Sequence, residues 1–427
     1  MTQVFKSTLL GESYTVKKHP SGLNIYVFPK KMTTAHALFA TDFGAVDNAL
    51  DSEGRVLLPD GIAHFLEHKL FAAPDGSDAF ERFSEFGADA NAYTSHTRTV
   101  YLFSATERVA DSLGELLDFV THPYFTKENV EKEQGIIAEE IRMCRDNPYD
   151  VCYYNMLDGL FTHHPVKTDI CGSVASIGKI TPETLYEAYR TYYKLSNMAL
   201  VVCGDITPEE VFAIADKHLP PDGDTAPVPR RCVAEKPTVH HARVTGYGQV
   251  AKPLFMIGIK DTDIPESPAA RLEKDVAMAI LNEMLFSESG ELYNALFDEG
   301  LISPGLSSDY ALTRDFAFCQ IAGEAADPEL VFERIMSYLK DKQASGLSRE
   351  DFERARRIEY AEYIKSFDNT EEIANTLLSF VFEESDIFSY ADVVLGISFE
   401  YVQQLLREVF DPAHVTLSLI FPKKEVL

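Results

Sequence analysis

The residues best suited to chemistry are two histidines four positions apart with a glutamate between them: His64, Glu67 and His68, within the segment 61–71. The apolar residues around them are spaced as in a helix, which places both imidazoles on one face, one turn apart. Two imidazoles so arranged can bind one Zn²⁺ ion, while the adjacent carboxylate acts as a base toward water at the metal. Two ordinary histidines beside an acidic residue are the simpler interpretation. Metal binding therefore requires a third ligand from elsewhere in the chain.

A long acidic helix predicted over residues 127–144 is the expected source of that ligand. Its apolar residues follow one stripe, and Glu133 and Glu140 lie seven positions apart, two turns along one face. A charge-rich helix is more often only a solvated surface. The alternation with apolar residues, together with the histidine pair, favours a carboxylate ligand here. The spacing alone does not choose between Glu139 and Glu140.

The elements that must position these residues are predicted from periodicity and turn chemistry. β-branched and aromatic residues between turn-forming residues predict strands at 14–18, 23–28, 35–43, 91–95 and 99–104. Asp60 precedes the motif helix and is its expected N-cap. The segment 216–241 is rich in turn-forming residues such as proline and is therefore predicted to be a linker. The predicted domains are therefore an N-terminal metal-binding domain, a linker and a C-terminal domain, at residues 1–215, 216–241 and 242–427.

The sequence pattern restarts after the linker. The motif segment 60–71 recurs 215 positions later, with Ala279 and Glu283 in place of the two histidines. Further matches follow in the same order, and one of them aligns Thr97 with Thr313. Ordered matches at a nearly constant offset indicate a duplicated domain. The second copy has lost the histidine pair, so metal chemistry is expected only in the first.

Composition narrows the possible partners and compartment. The chain has 427 residues and a net charge of −28, which disfavours nucleic acid and anionic membrane surfaces as partners. No run approaches the length of a transmembrane helix, and the N-terminus lacks the pattern of a secretory signal. The six scattered cysteines include no C-x-x-C pair, which predicts reduced, mostly buried thiols in a cytoplasmic protein.

The motif His64-Phe-Leu-Glu-His68, followed by Glu133 and Glu140, resembles the inverzincins, the zinc metallopeptidase superfamily of pitrilysin, insulysin and the mitochondrial processing peptidase. In that pattern the zinc glutamate lies some seventy residues after the second histidine and seven after a helper glutamate. Glu140 lies 72 residues after His68 and seven after Glu133, so the resemblance selects Glu140. Residues 87–95 also resemble the superfamily's substrate-binding edge strand.

The resemblance covers nearly the whole chain and implies an α+β fold. The expected architecture is two tandem homologous domains, each an antiparallel-rich β-sheet packed with helices. The chain is most similar to a bacterial single-length subgroup named for association with the 5-aminopentanol modification of elongation factor P. That label is a name by association and implies no activity.

The resemblance also implies roles in a zinc-dependent endopeptidase that cleaves unfolded peptides. His64, His68 and Glu140 would bind Zn²⁺, a ligand set that suits zinc without excluding Mn²⁺ or Co²⁺. Glu67 would be the general base, and Glu133 would orient a ligand or the water.

The substrate-binding residues implied by the resemblance are Asn91, Ala92 and Thr94. They would hold the peptide as an added β-strand through main-chain hydrogen bonds. An ordinary edge strand is the alternative interpretation of this segment.

One departure from the superfamily's pattern bears on activity. Phe297 and Ser303 stand where the second domain of a relative often has an arginine and a tyrosine that hold substrate and oxyanion. The expected partner is therefore a related chain lacking the zinc motif, in a heterodimer, with a homodimer as the alternative. Two alternative functions remain open: a non-proteolytic peptide-binding or assembly scaffold, and a processing factor dedicated to one client protein.

Overall fold

The computed structural model describes residues 2–49, 56–226, 228, 230 and 233–423. Parts of the predicted linker and of the segment before the motif helix lie outside these ranges, and so does Cys232. The chain divides into two compact units. Unit 1 comprises residues 1–141, 168–232 and 364–388, and unit 2 comprises residues 142–167, 233–363 and 389–427.

Strands and helices are interspersed along both halves of the chain. The strands are β1 (Thr2–Ser7), β2 (Glu12–Lys18), β3 (Asn24–Pro29), β4 (Ala35–Thr41), β5 (Asp89–Thr94), β6 (Thr99–Ala105), β7 (Met198–Gly204), β8 (Arg243–Gly248), β9 (Leu254–Asp261), β10 (Ser307–Leu312), β11 (Ala317–Glu324) and β12 (Val415–Pro422). The helices are α1 (Ile62–Leu70), α2 (Ala79–Phe86), α3 (Val109–Thr121), α4 (Lys127–Asp146), α5 (Pro148–Leu160), α6 (Val174–Ile177), α7 (Pro182–Tyr192), α8 (Pro208–His218), α9 (Pro268–Phe286), α10 (Glu291–Asp298), α11 (Pro328–Ser345), α12 (Arg349–Lys365), α13 (Thr370–Phe382), α14 (Tyr390–Gly396) and α15 (Phe399–Glu408).

Among the described residues each unit contains one β-sheet, and the five strands of the unit 2 sheet repeat the order and directions of five of the seven strands in unit 1. In unit 1 the strand order is β1-β2-β3-β7-β4-β6-β5, and in unit 2 it is β8-β12-β9-β11-β10, read from the corresponding edge. Strands β3 and β7 are parallel, as are β8 and β12, and the other paired strands in both sheets are antiparallel. The predicted α+β class with two related, antiparallel-rich domains is therefore confirmed. The strand β1, which pairs with β2, was not predicted.

Strand pairing shows which turn residues of the two repeats correspond. Thr94 pairs with Thr99 across the first turn, and Leu312 pairs with Ala317 across the second. Thr313 therefore occupies the first turn position, which Ser95 holds in unit 1. The predicted match of Thr97 with Thr313 is shifted by two residues.

The compact units differ from the predicted domain boundaries because each half of the sequence contributes one helical segment to the other unit. Helix α5, from the first half, packs on β8, β9 and β12 of unit 2. Helix α13, from the second half, packs on β4 and β7 of unit 1. The division at residues 216–241 remains a prediction about the repeated sequence, whereas the folded units follow the packing of α5 and α13.

Two further sequence-based expectations concern membranes and thiols. In the part of the chain that the structure describes, no helix is both long and apolar enough to cross a membrane. Cys152, Cys203 and Cys319 are buried free thiols.

Candidate metal centre

Helix α1 carries the histidine motif because its apolar residues anchor one face in the core of unit 1. Ile62, Phe65 and Leu66 are at most 3% exposed and belong to that core. The opposite face carries His64 and His68, and the side chains of these two residues are 9% and 25% exposed. The helix thus holds both imidazoles on a rigid support at the edge of the core.

The start of helix α1 differs from the prediction. Gly61, not Asp60, is the N-cap residue, and no side chain caps the helix there. Gly61 has a φ of 89°, in the left-handed region that favours glycine. A Cβ atom at this position would lie 2.5 Å from the carbonyl oxygen of Cys171. Close approach of the 171–172 backbone, rather than side-chain capping, therefore fixes where the helix begins.

Helix α4 places one of its two adjacent glutamates against the histidines. Val130, Ile137 and Ile141 are buried in the core of unit 1. This stripe turns Glu140 toward α1, while Glu139 is exposed. The structure therefore resolves geometrically the choice that spacing had left open.

His64, His68 and Glu140 converge on one point. The two Nε2 atoms are 3.3 Å apart. Glu140 Oε1 lies 3.5 Å from His64 Nε2, and Glu140 Oε2 lies 3.5 Å from His68 Nε2. Tetrahedral zinc with ligand bonds of roughly 2.0–2.1 Å separates neighbouring ligand atoms by about 3.4 Å. The spacing and chemistry of these donors therefore fit a zinc ion.

Glu133 lies next to this cluster and links two residues of helix α1. Its Oε1 is 3.2 Å from His68 Nδ1, and its Oε2 accepts a hydrogen bond from Lys69 Nζ at 3.0 Å. Burial raises the pKa of Glu133, but the hydrogen bonds from His68 and Lys69 outweigh burial and lower the pKa below its usual value. Glu133 is thus held as a carboxylate that orients His68.

Lys69 is a site residue that the sequence analysis did not identify. It is only 5% exposed, and a buried ammonium group requires a charged partner. The available signal was helical spacing, which places Lys69 on the same face as the buried Ile62, Phe65 and Leu66. A lysine there must be buried with a carboxylate, and Glu133 supplies it.

Strand β5 forms one edge of the unit 1 sheet beside the motif helix. The hydroxyl of Thr94 donates a hydrogen bond to Glu67 Oε2 at 2.8 Å. The amide of Ala92 donates to Asn91 Oδ1 at 2.8 Å. The three residues predicted to bind substrate therefore lie on the strand that borders Glu67, and one of them contacts Glu67 directly.

A cleft of about 900 Å³ opens from the histidine motif along this side of unit 1. Phe71 and Phe80 stack in its wall with their ring centroids 4.2 Å apart, and Ile136 and Asn91 also line it. Ile136 is 47% exposed and Phe80 is 40% exposed, so apolar surface is available in the cleft. The cleft is large enough to contain several side chains of an extended peptide.

The corresponding positions of unit 2 hold no such centre. Glu283, in place of the second histidine, lies 3.7 Å from the guanidinium of Arg354. Phe297 on α10 is 46% exposed and stacks on Tyr293, and Ser303 Oγ accepts a hydrogen bond from Lys252 Nζ at 2.9 Å. Unit 2 thus retains the sheet topology but not the two histidines of the metal motif.

Comparison with known families identifies the chain. The family model described as "Insulinase (Peptidase family M16)" matches residues 59–173, and the model described as "Peptidase M16 inactive domain" matches residues 179–359. A Bacillus subtilis protein named "Uncharacterized zinc protease YmfH" is 36% identical over 97% of this chain and 98% of its own length. The chain belongs to peptidase family M16. The resemblance to the inverzincin superfamily is therefore confirmed, while the subgroup named for elongation factor P remains a prediction.

Solved structures agree with this assignment. A crystal structure of a putative M16-like peptidase from Alicyclobacillus acidocaldarius has a TM-score of 0.93 and 33% identity, covering 98% of this chain and 100% of that one. A protease from Helicobacter pylori has a TM-score of 0.84 at 18% identity, covering 96% of this chain and 99% of that one, which shows the shared fold.

Proposed function

We propose that this chain is a zinc-dependent endopeptidase, or the catalytic subunit of a heterodimeric one. The observation that carries the proposal is the convergence of His64, His68 and Glu140, with spacings that suit zinc, beside Glu67 on the same helix as the two histidines. The names of relatives support zinc and proteolysis as the class of chemistry.

The chain's own residues have distinct roles in this proposal. His64, His68 and Glu140 would hold a zinc ion, which would supply the Lewis-acid chemistry that makes water nucleophilic near neutral pH. Glu67 accepts a proton from water as the peptide carbonyl is attacked, and then delivers it to the leaving amine. Glu133 accepts a hydrogen bond from His68 Nδ1, which directs the Nε2 lone pair toward the other ligands.

The proposed substrate is an unfolded peptide that adds to the sheet at strand β5. An edge strand offers main-chain donors and acceptors that are independent of substrate sequence. Asn91, Ala92 and Thr94 lie on this strand, so a peptide paired with them would pass Glu67. Selectivity would then come from the cleft beside the motif.

The proposed partner is a related chain that lacks the zinc motif. Phe297 and Ser303 provide no guanidinium or phenol at the positions where a relative often has them. Losing one oxyanion donor typically lowers the rate by about 10²–10³-fold. We therefore propose that a partner supplies these groups in a cytoplasmic heterodimer. Equal cleavage of unfolded peptides by the chain alone and by a reconstituted mixture would argue against the partner.

The test of the function is Glu67→Gln, with Glu139→Gln as the matched control on the exposed side of α4. Glu67→Gln should retain stoichiometric zinc and lose cleavage of an unfolded peptide by about 10²–10⁴-fold. Glu139→Gln should retain both properties. Zinc binding without cleavage by the wild-type chain, with any partner, would instead support the scaffold, which the missing arginine and tyrosine favour.

A further inference from the structure

We propose that unit 2 carries a second divalent metal site, formed by Asp158, His240 and His241. One ligand atom from each of these residues lies within 4.8 Å of the others. The site is built from residues of unit 2 alone and is independent of the motif on helix α1. The proposal therefore does not depend on the proposed peptidase activity.

The backbone holds the two histidines against the end of helix α5. The amides of His240 and His241 both donate hydrogen bonds to the carbonyl oxygen of Gly159, at 2.8 and 2.9 Å. The hydroxyl of Thr416 donates to the carbonyl oxygen of His241 at 2.6 Å. A Cβ atom at Gly159 would clash with the Thr416 hydroxyl, so only glycine permits this approach. The histidine pair is thus anchored although its side chains are exposed.

The side chains present nitrogen and oxygen donors together. The rings of His240 and His241 are tilted against each other, with centroids 3.8 Å apart and an interplanar angle of 35°. His240 Nδ1 lies 3.9 Å from Asp158 Oδ1 and donates a hydrogen bond to the backbone oxygen of Asp158 at 3.1 Å, which leaves the Nε2 lone pair of His240 for a metal ion. Asp158 lies in the last turn of helix α5, where the helix dipole favours a cation. The clustered ligand atoms and the C-terminal end of the helix therefore both favour a bound cation.

Lys167 forms an ion pair with Asp158, one of the three proposed ligands. Its Nζ lies 3.0 Å from Asp158 Oδ1, and the Asp158 side chain is 46% exposed. The ammonium group neutralises a ligand that a metal ion would need, so it must weaken metal binding. The second site is consequently expected to bind a metal ion more weakly than the site on helix α1. A bound ion should exchange readily with ions in solution.

The ligand set defines the class of ion. Two imidazoles and one carboxylate suit Zn²⁺, Ni²⁺ or Cu²⁺, whereas Mg²⁺ and Ca²⁺ prefer oxygen ligands throughout. Three protein ligands leave the remaining coordination positions to water. The proposal predicts two Zn²⁺ ions per chain at saturating concentration, one at each site.

Equilibrium dialysis with Zn²⁺ tests the site in the full-length chain. The wild type should bind two equivalents and His240→Asn/His241→Asn should bind one, with His414→Asn as a control histidine in unit 2. In the His64→Asn/His68→Asn background one equivalent should remain, and Mg²⁺ should not displace it. Binding of one equivalent by the wild type, or unchanged stoichiometry in His240→Asn/His241→Asn, would overturn the proposal.

Lys167→Met distinguishes a site that includes Asp158 from metal binding by the two histidines alone. In the His64→Asn/His68→Asn background, removing this positive charge should tighten Zn²⁺ binding about threefold to tenfold, as expected for one charge near the surface. Asp158→Asn should weaken binding in the same assay. Unchanged affinity in both variants would show that the carboxylate is not a ligand, and the three-residue site would be wrong.

Discussion

Thr94 donates a hydrogen bond to Glu67 across the gap between the edge strand β5 and the motif helix α1, with 2.8 Å between Oγ1 and Oε2. Glu67 is the proposed general base, and a carboxylate fixed by a hydrogen bond samples fewer orientations. The resemblance to the superfamily implies peptide binding by Thr94. We infer from its contact with Glu67 a second role, in which the strand that would bind substrate also positions the base.

Thr94→Val should separate these two roles, because valine keeps the branched shape and the strand backbone but removes the hydroxyl donor. A hydrogen bond to a charged group contributes about 1.5 kcal/mol, so kcat should fall about tenfold with little change in KM. Thr94→Ser should recover most of the activity. Steady-state kinetics on an unfolded peptide provide the measurement, and a raised KM at constant kcat would instead indicate that Thr94 only holds substrate.

Glu140→Gln should weaken zinc binding strongly, because the amide loses the negative charge that completes the ligand set. We expect the Kd for Zn²⁺, measured by competition with a chelator, to rise at least 100-fold, beyond the roughly 10–100-fold that outer-shell changes cause. Glu139→Gln, one position earlier on the same helix, should leave the Kd unchanged. Equal effects of the two substitutions would show that α4 acts only through its total charge.

Lys69→Met should weaken zinc binding through Glu133. The methionine keeps the apolar length of the side chain, while Glu133 loses the ammonium group 3.0 Å away and becomes freer to leave His68. The zinc Kd should rise about tenfold, within the range of outer-shell effects. Lys69→Arg should restore much of the affinity, since it retains the charge. Thermal unfolding of the zinc-free chains serves as the control, and a change in stability with an unchanged Kd would contradict the positioning role.

Local patterns were sufficient to predict the parts of the candidate site that lie within single helices. His64 and His68 share a face because they are four residues apart, and the apolar stripe of α4 predicts that one of its acidic residues faces α1. The family resemblance was needed to prefer Glu140 to Glu139, because the stripe alone did not decide between two adjacent carboxylates. The common topology of the two sheets was also predictable from the ordered internal matches.

Features that depend on tertiary packing were not predictable in this way. Asp60 has the chemistry of a cap, but close contact between Gly61 and the backbone at Cys171 determines the helix start. Helical spacing puts Lys69 on the apolar face of α1, but only the packing of α4 against α1 shows that Glu133 pairs with it. The crossing of α5 and α13 into the opposite units leaves no periodic signal, since an amphipathic helix does not specify which sheet it covers.

Glu235 provides a pH-dependent prediction for the stability of unit 2. Burial raises its pKa, but amide hydrogen bonds from His163, His164, Thr162 and Lys236 outweigh burial and lower the pKa from 4.5 to about 2. A lowered pKa in the folded state contributes stability that is fully present above pH 4.5 and is lost as the pH falls toward 2. Glu235→Gln should therefore lower the unfolding temperature at pH 7, and the difference from wild type should shrink as the pH falls from 4.5 toward about 2. Glu273→Gln, on the exposed face of α9, is the control, and a difference independent of pH would exclude the charge as the cause.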